Sequence, residues 1–402
     1  MLIVQKYGGS SLADSNRIKK VAGRIIDEKK KNNHLVVVVS AMGDTTDNLI
    51  SLAHQITKNP HKRELDMLIS TGEQVCASLL SMTIQDEGFK AVSLTASQVG
   101  IRTDDSFTKA RIKGIDTARV NKELSEDNIV IVTGFQGITE EDDITTLGRG
   151  GSDTTAVALA CSLDAESCEI YTDVDGVYTA DPRIVQGAKK LDVISYEGML
   201  EMASLGSVVL QTRAVEFAKK HSVVIHLRSS FNDNPGTIIC EEVIKMEEPI
   251  ISGIPTDPNC AKITIIGVRD KPGIAAEIFQ ALADASINVD IIVQSQSPDK
   301  KANISFTVDK DDLCLAVEIL EKTKEMLLFD KILSDDNVAK ISIVGVGMKS
   351  HPGIAAKMFK ILGDKRINID MISTSEIKIS CVIEKSKMKE AACALHSGFG
   401  LD

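Results

Sequence analysis

The 402-residue sequence contains no tryptophan and four tyrosines, and aromatic residues make up 3% of it. Proteins that bind single-stranded nucleic acid commonly stack the bases on aromatic side chains, and nucleic-acid binding usually needs a basic surface. Here the formal net charge is −11, from 46 basic and 57 acidic residues. We therefore expect no nucleic acid among the partners of this protein.

The sequence also lacks any apolar run of the roughly 20 residues needed to cross a bilayer. Its N-terminus has no basic segment followed by a long apolar one, as a signal peptide would have. The eight cysteines form no Cys-x-x-Cys pair, and the seven histidines are scattered. Most cysteines lie among apolar residues, so we interpret them as buried thiols in a reducing compartment rather than as disulfides or metal ligands. These absences predict a cytoplasmic protein with no membrane partner and no metal site of its own.

Short Val- and Ile-rich segments alternate with amphipathic segments over the first 240 residues or so. The clearest predicted strands are residues 2–6, 35–39, 91–94, 129–133, 168–171 and 223–227, and the clearest predicted helices are residues 15–31, 64–87 and 153–163. Strands that are apolar on both faces and separated by helices indicate a mostly parallel sheet covered on both sides. A shift to Gly, Glu and Pro between residues 236 and 249 predicts a domain boundary.

The rest of the chain contains an internal repeat with an offset of 80 residues. Pro272-Gly273-Ile274-Ala275-Ala276 returns as Pro352-Gly353-Ile354-Ala355-Ala356, and Ile287-Asn288-Val289-Asp290 returns as Ile367-Asn368-Ile369-Asp370. A Pro-Gly turn that opens a helix leaves the first helical N–H groups available to a ligand carboxylate. A single copy would be read as a tight turn, but its duplication at a constant distance from Asn-x-Asp favours a binding site.

Two common nucleotide-binding motifs are missing. The sequence has no Gly-x-x-x-x-Gly-Lys-Ser/Thr loop, and no Gly-x-Gly-x-x-Gly opens the first helix. The first strand ends instead in Lys6-Tyr7-Gly8-Gly9-Ser10-Ser11. Two glycines let backbone N–H groups approach phosphate oxygens, and the lysine can offset charge on a transferred phosphoryl group. Taken alone, this motif leaves a phosphate site and a turn without a ligand as equal alternatives.

Three further loops favour a ligand site. Residues 40–47 follow the second strand, at the edge where ligands of parallel sheets collect. Residues 146–153 precede a helix and place Arg149 inside a glycine cluster, where a guanidinium can clamp a carboxylate. Residues 171–183 follow another strand and are rich in acceptors, with Arg183 near their end. Asp175-Gly176 within them is equally well explained as a turn.

Four elements together resemble those of aspartate kinases in the amino-acid kinase superfamily, followed by two ACT regulatory modules. They are the motif at residues 6–11, Gly72-Glu73, residues 145–153 (Thr-Thr-Leu-Gly-Arg-Gly-Gly-Ser-Asp) and residues 172–183, in that order. The resemblance covers essentially the whole chain. It implies an α/β fold class, with a three-layer α/β/α kinase fold followed by two ferredoxin-like (ACT) α+β modules. It implies a catalytic domain at 1–242, a linker and a strand of the second ACT module at 243–261, and ACT modules at 262–338 and 339–402.

The resemblance further implies ATP-dependent phosphorylation of L-aspartate, with feedback by lysine, threonine or both. The implied catalytic residues are Lys6 and Asp153. The implied ATP contacts are Lys6, Tyr7, Gly8, Gly9, Ser40, Thr172, Asp173, Tyr178, Arg183, Val208 and Val209. The implied aspartate contacts are Thr45, Glu73, Phe135, Arg149, Gly150, Gly151 and Ser152. The implied effector contacts are Asp270, Gly273, Ile274, Ala275, Asn288, Val289, Asp290, Gln294, Ile354, Ala355, Asn368, Ile369, Ser375 and Glu376.

The same resemblance implies Mg²⁺ bound through the nucleotide phosphates. It also implies a homo-oligomer formed by ACT pairing, in which a shorter, regulatory-only chain is a further possible partner. One position departs from the family pattern: Val208 stands where a lysine that contacts ATP is expected. Two other functions stay open. One is a kinase of the same superfamily for glutamate, acetylglutamate or a nucleoside monophosphate, which Gly72-Glu73 with Arg149 disfavours. The other is a non-catalytic amino-acid sensor, favoured only by Val208.

Overall fold

A computed structural model of the chain describes residues 1–205, 209–241, 250–269, 271–296, 301–346, 348 and 353–402. The predicted contacts Val208 and Asp270 lie outside the described residues, as do residues 243–249 of the predicted linker. The chain forms two compact units: the first comprises Met1–Val177, Lys190–Ala203 and Val208–Lys245, and the second comprises Tyr178–Lys189, Ser204–Ser207 and Met246–Asp402. No helix among the described residues is both long and apolar enough to cross a membrane.

The first unit contains an eight-stranded sheet and a four-stranded sheet. Its strands are β1 (Leu2–Tyr7), β2 (His34–Val39), β3 (Ala91–Leu94), β4 (Ile101–Thr103), β5 (Ile112–Ile115), β6 (Ile129–Thr133), β7 (Gln136–Ile138), β8 (Ile144–Thr146), β9 (Ser167–Thr172), β10 (Val193–Ser195), β11 (Ile225–Ser229) and β12 (Thr237–Cys240). The larger sheet has the order β10-β12-β11-β9-β1-β2-β6-β3, and β4, β5, β7 and β8 form the smaller one. All neighbours in the larger sheet are parallel except β11 and β12.

Nine α-helices of this unit are described. They are α1 (Ser15–Lys29), α2 (Thr45–Ile56), α3 (Lys62–Ile69), α4 (Thr71–Asp86), α5 (Ala96–Val99), α6 (Ala118–Ser125), α7 (Gly151–Ser162), α8 (Tyr196–Ser204, whose last residue falls in the second unit) and α9 (Thr212–His221). The Asp14 side chain caps α1 by accepting from the Arg17 backbone N–H, which satisfies one of the free donors of the first turn. Helix α7 has ten buried residues in an unbroken run, so it packs on the sheet with almost no solvent face.

Side-chain alternation along β1 determines where its lysine points. Ile3 and Tyr7 belong to a hydrophobic core that also contains residues of α1 and α4. Since successive side chains of a strand point to opposite faces, Lys6 lies on the other face of the sheet. That face is covered by α7, which packs against β1, β2 and β9.

The second unit contains a seven-stranded sheet with helices α10 (Ile274–Asp284), α11 (Leu313–Leu327), α12 (Ile354–Asp364) and α13 (Met388–Gly398). Its strands are β13 (Ile250–Gly253), β14 (Thr256–Arg269), β15 (Ile292–Gln296), β16 (Lys301–Asp309), β17 (Lys331–Val346), β18 (Met371–Thr374) and β19 (Lys378–Glu384). The order is β15-β16-β14-β17-β19-β18, with β13 paired to β17 at residues 344–346. The strand that precedes the first repeat therefore pairs with the first strand of the second repeat, as the resemblance implies.

Eight of the nine strands and helices predicted for the first unit lie within two residues of the observed bounds at each end, but one predicted helix is wrong. The segment 64–87 is not one helix, because α3 ends at Ile69 and α4 starts at Thr71. The Ser70 and Thr71 hydroxyls donate to the Met67 and Leu68 carbonyls, and the Gln136 side-chain amide donates to the Ser70 carbonyl. These side-chain bonds replace helical ones at the break. Apolar periodicity alone does not reveal them.

Candidate active site

A cavity of about 1420 Å³ lies in the first unit. Its lining includes residues that directly follow β1, β2 and β6, together with the loop between β8 and α7 and the first turn of α7. The carboxyl ends of neighbouring parallel strands meet at one edge of a sheet, which is the usual ligand-binding edge of α/β proteins. Sequence motifs that are far apart in the chain are therefore brought to one cavity.

Lys6 and Asp153 form an ion pair in this cavity. The Lys6 Nζ atom lies 2.5 Å from an Asp153 carboxylate oxygen, and the two side chains are 12% and 10% exposed. Asp153 is in the first turn of α7, so the helix fixes the carboxylate that orients the lysine. Gly8 and Gly9 lie beside this pair, and a Cβ atom on Gly9 would be 2.8 Å from the Ala41 carbonyl oxygen. The turn after β1 thus has room only for glycine at position 9, which leaves its backbone close to the cavity.

Glu73, on α4, is a buried carboxyl group in the wall of the cavity, with 3% of its surface exposed. Its Oε1 atom accepts from the Ala41 backbone N–H at 3.2 Å, and its buried Oε2 atom accepts no hydrogen bond from the residues that the structure describes. Burial raises the pKa of this carboxyl from 4.5 to about 7. A buried acceptor with spare capacity suits a cationic group of a ligand.

Arg149 supplies a positive charge to the cavity that Glu73 lines. It is exposed in the lining of the cavity, between Gly148 at φ +78° and Gly150 at φ +68°. Across the described part of the chain, no side chain pairs with its guanidinium. Glu73 and Arg149 therefore offer opposite charges to one cavity, which complements a ligand that carries both an ammonium and a carboxylate.

Eleven of the predicted site residues line this cavity. They are Lys6, Gly8, Gly9, Ser40, Glu73, Phe135, Arg149, Gly150, Gly151, Ser152 and Asp153. Seven others are not part of the lining: Tyr7, Thr45, Thr172, Asp173, Tyr178, Arg183 and Val209.

The surroundings of these seven differ. The Tyr7 ring is fully buried and stacks on Tyr171 with centroids 4.7 Å apart, so only its backbone is available to a nucleotide. The Thr45 hydroxyl donates to the Met42 carbonyl at 2.6 Å. Tyr178 and Arg183 belong to the second compact unit. The nucleotide contacts assigned to residues 172–183 stay predictions.

Several lining residues lie outside the loops that the sequence singled out. They are Lys109, Arg111, Arg213, Glu216, Phe217 and Lys220. Lys109 and Arg111 precede the short strand β5, and the last four belong to α9. All but Phe217 are charged residues of the kind found on solvated segments, so the fold was needed to bring them to the site.

Comparison with known proteins identifies the family. Residues 1–229 match the Amino acid kinase family, and residues 263–323 and 341–399 each match the ACT domain. The chain is 51% identical over 400 residues to the aspartokinase of Bacillus sp. (strain MGA3), covering 100% of this chain and 97% of that one. It is 49% identical over 405 residues to the aspartokinase of Mycolicibacterium smegmatis, covering 100% and 96%. The chain belongs to the aspartokinase family.

Solved aspartokinase structures have the same fold. Clostridium acetobutylicum aspartate kinase is 26% identical with a TM-score of 0.80, covering 99% of this chain and 100% of that one. Escherichia coli aspartokinase III, in complex with lysine and aspartate (T-state), is 25% identical with a TM-score of 0.79, covering 99% of both chains. The three-layer kinase fold and the two ACT modules expected from the sequence are confirmed by these matches.

The two ACT modules of the chain have equivalent helix starts. Gly273 and Gly353 cap α10 and α12 at φ +93° and +107°, a conformation that favours glycine. Asp290 and Asp370 follow these helices at equivalent positions, and each pairs with a lysine of the other repeat. The Lys262 ammonium lies 2.9 Å from Asp370, and Lys340 pairs closely with Asp290 and lies 3.5 Å from Asp257.

The remaining described effector candidates occupy the same part of each module. Gln294 is exposed on β15, and Ser375 and Glu376 form the turn between β18 and β19. Ile274, Ala275, Ile354 and Ala355 start α10 and α12, and Asn288, Val289, Asn368 and Ile369 lie in the segments that follow these helices. No bound effector tests these contacts, so their roles stay predictions.

Proposed function

We propose that the chain transfers the γ-phosphoryl group of ATP to the β-carboxylate of L-aspartate, giving 4-phospho-L-aspartate and ADP. The observation that carries this proposal is the composition of one cavity. A Lys6–Asp153 pair next to two glycines lies in the same cavity as Glu73 and Arg149, whose charges match those of an amino acid. The glycine turn suits the phosphates, and the oppositely charged pair suits the acceptor.

The acceptor carboxylate needs no general base, because it is already ionised at neutral pH. The protein must align two anions and neutralise the charge between them. Lys6 supplies a cation at the end of β1, and Asp153 holds that cation in place. Arg149 binds the α-carboxylate of aspartate and Glu73 binds its ammonium, which leaves the β-carboxylate for the reaction. The donors around Gly8 and Gly9 suit phosphate oxygens. Mg²⁺ bound to the nucleotide phosphates would offset part of their charge.

An ADP-release assay with aspartate, glutamate or buffer alone tests this proposal. We expect rapid ADP release with aspartate, little with glutamate, and a low basal rate with buffer. Equal rates with all three would indicate an ATPase, and a preference for glutamate would assign a different substrate. Absence of ADP release under every condition, from a chain that still binds lysine or threonine, would favour the non-catalytic sensor.

We further propose that lysine, threonine or both regulate the enzyme through the ACT modules. Support comes from the duplicated helix starts after Gly273 and Gly353, whose free N–H groups suit a carboxylate. The E. coli relative has been solved with lysine bound. The edge strands β15 and β18 carry exposed Ile292, Val293 and Ile372, which supports a homo-oligomer formed through these edges.

A further inference from the structure

Asp66 is a buried carboxyl group outside the set of predicted site residues. It lies on α3 and has no exposed surface. Its carboxylate accepts from the Thr108 backbone N–H at 2.8 Å, the Thr146 backbone N–H at 2.9 Å and the Thr146 hydroxyl at 2.7 Å. No described residue forms an ion pair with it, and burial raises its pKa. A buried carboxylate without a counter-charge is costly, and the three hydrogen bonds from these two segments compensate part of that cost.

Arg213, on α9, holds the same two segments from another helix. Its guanidinium donates to the Leu147 carbonyl at 2.8 Å and to the Ala110 carbonyl at 2.7 Å. The segments are also joined directly, since the Ala110 backbone N–H donates to the Thr146 carbonyl at 2.9 Å. The Asp66 carboxylate therefore accepts from backbone N–H groups of residues 108 and 146, and the Arg213 guanidinium donates to the carbonyls of residues 110 and 147.

Both held segments reach the cavity. The first contributes Thr108 and Lys109 to the lining, and the second continues directly into Gly148, Arg149 and Gly150. Thr108 has φ +71°, which is unfavourable for a β-branched residue and persists only where the surroundings enforce it. The Asp66 carboxylate bonds the backbone N–H of this strained residue. Side chains from α3 and α9 therefore anchor both segments beside the cavity.

We infer that Asp66 and Arg213 are positioning residues for Arg149, and that together they fix the backbone from which its guanidinium reaches the carboxylate of the acceptor. This inference deepens the proposed function and rests on it. Arg149 has no side-chain partner of its own in the described structure, so the position from which its side chain reaches into the cavity is set by its backbone. Small displacements of a binding group weaken alignment strongly.

Steady-state kinetics of Asp66→Asn, Arg213→Met and Arg213→Lys test the inference. We expect the first two variants to raise the KM for aspartate about 10-fold or more, with the KM for ATP close to that of the parent. Arg213→Lys can make one of the two carbonyl bonds, so its KM should fall between Arg213→Met and the parent. The matched control is Arg63→Met, which removes an exposed arginine of α3 paired with Glu64 and Asp143 and should leave both KM values unchanged.

A double-mutant cycle separates positioning from a direct contact, because Arg213 itself lines the cavity. If Arg213 acts through Arg149, then Arg213→Met should add little to the loss of kcat/KM in an Arg149→Ala background. Multiplicative losses would overturn the inference, as would an unchanged aspartate KM in folded single variants. If a thermal melt shows that Asp66→Asn does not fold, Thr146→Val is used in its place, because it removes only one of the three bonds to Asp66. If the parent enzyme prefers another acid to aspartate, the proposed function is refuted. The inference is then tested by comparing the KM of each variant with that of the parent for the preferred acid.

Discussion

We propose that Lys6 is the residue whose charge matters most while the phosphoryl group moves. It lies on the face of the sheet covered by α7, next to Asp153 and two glycines. We predict that Lys6→Met lowers kcat by at least about 100-fold with a much smaller change in the KM for aspartate, since the loss is felt mainly in the transition state. Initial rates at saturating ATP and aspartate measure this. A variant with near-normal kcat would remove Lys6 from the mechanism.

If Glu73 binds the substrate ammonium, as we propose, aspartate binding should depend on pH. The pKa of Glu73 is raised to about 7 by burial, and only the ionised form attracts the substrate ammonium. We therefore predict that the KM for aspartate rises as the pH falls from 8 to 6, because Glu73 takes up a proton over that range. Glu73→Gln should raise the KM at pH 8 and flatten its pH profile. If the variant kept the pH dependence of the parent, another group would be responsible.

The same carboxyl has an opposite effect on folding. Its pKa is higher in the folded state than the ordinary value of 4.5, so folding favours the protonated form. Below pH 4.5 the carboxyl is protonated in both the folded and the unfolded state, so it does not lower the free energy of unfolding. That free energy falls as the pH rises from 4.5 through 7. A shift of this size corresponds to about 3 kcal/mol. We predict that Glu73→Gln raises the free energy of unfolding at pH 8 more than at pH 5, as measured by denaturant titration at both values. An equal difference at both pH values would refute this.

At the scale of elements, the sequence was informative wherever a pattern is local. Alternating and continuous apolar runs predict β3 (Ala91–Leu94) and β6 (Ile129–Thr133) with their observed bounds. Motifs that contain two adjacent glycines predict the turn after β1 and the loop before α7. Asp66 and Arg213 could not be predicted, because their roles depend on two segments that only the folded chain brings together. The break between α3 and α4 was not predicted either, in part because Gln136, which bonds the Ser70 carbonyl there, belongs to the distant strand β7.

The loop before α7 offers a test of glycine as a structural requirement. Gly150 caps α7 at φ +68°, and a Cβ atom there would lie 1.7 Å from the Gln211 side chain. Both the backbone conformation and the missing space oppose any larger residue. We predict that Gly150→Ala destabilises the protein by more than about 1 kcal/mol and raises the KM for aspartate, because Arg149 is its neighbour.

Gly23→Ala is the matched control for this change. Gly23 is an exposed residue inside α1, and no atom lies within 4 Å of the position a Cβ would take. Alanine there should stabilise the protein by about 0.5–1 kcal/mol, because glycine weakens helix interiors. Thermal melts and aspartate titrations of both variants provide the comparison. Equal effects of the two substitutions would show that the loop tolerates a side chain.

At the scale of the whole molecule, the duplication in the sequence corresponds to an exchange of partners between the repeats. Lys262 of the first repeat pairs with Asp370 of the second, and Lys340 of the second pairs with Asp290 of the first. Lys340 is only 5% exposed, so its ammonium depends on Asp290 and Asp257 for compensation. Asp290→Ala therefore removes both a proposed effector contact and a structural partner, and its effect on inhibition would be mixed with a loss of stability.

Gln294 separates these two roles. Its exposed side chain projects from the edge strand β15, and replacing it leaves the Lys340 cluster intact. An effector inhibits only if it prefers the inactive arrangement, and a 10-fold effect requires about 1.4 kcal/mol of differential affinity. We predict that Gln294→Ala weakens inhibition by lysine, threonine or their mixture and leaves the uninhibited rate unchanged, because Gln294 lies in the second unit, outside the catalytic cavity.

Inhibition curves for the parent, Gln294→Ala and Lys322→Ala measure this difference. Lys322 forms an exposed pair with Glu318 on α11, so its replacement should reproduce the parent curve. A rightward shift confined to Gln294→Ala would support an effector site at β15. Superimposed curves for all three would place the effector elsewhere. A parent that neither amino acid inhibits would mean that the ACT modules serve assembly instead of sensing.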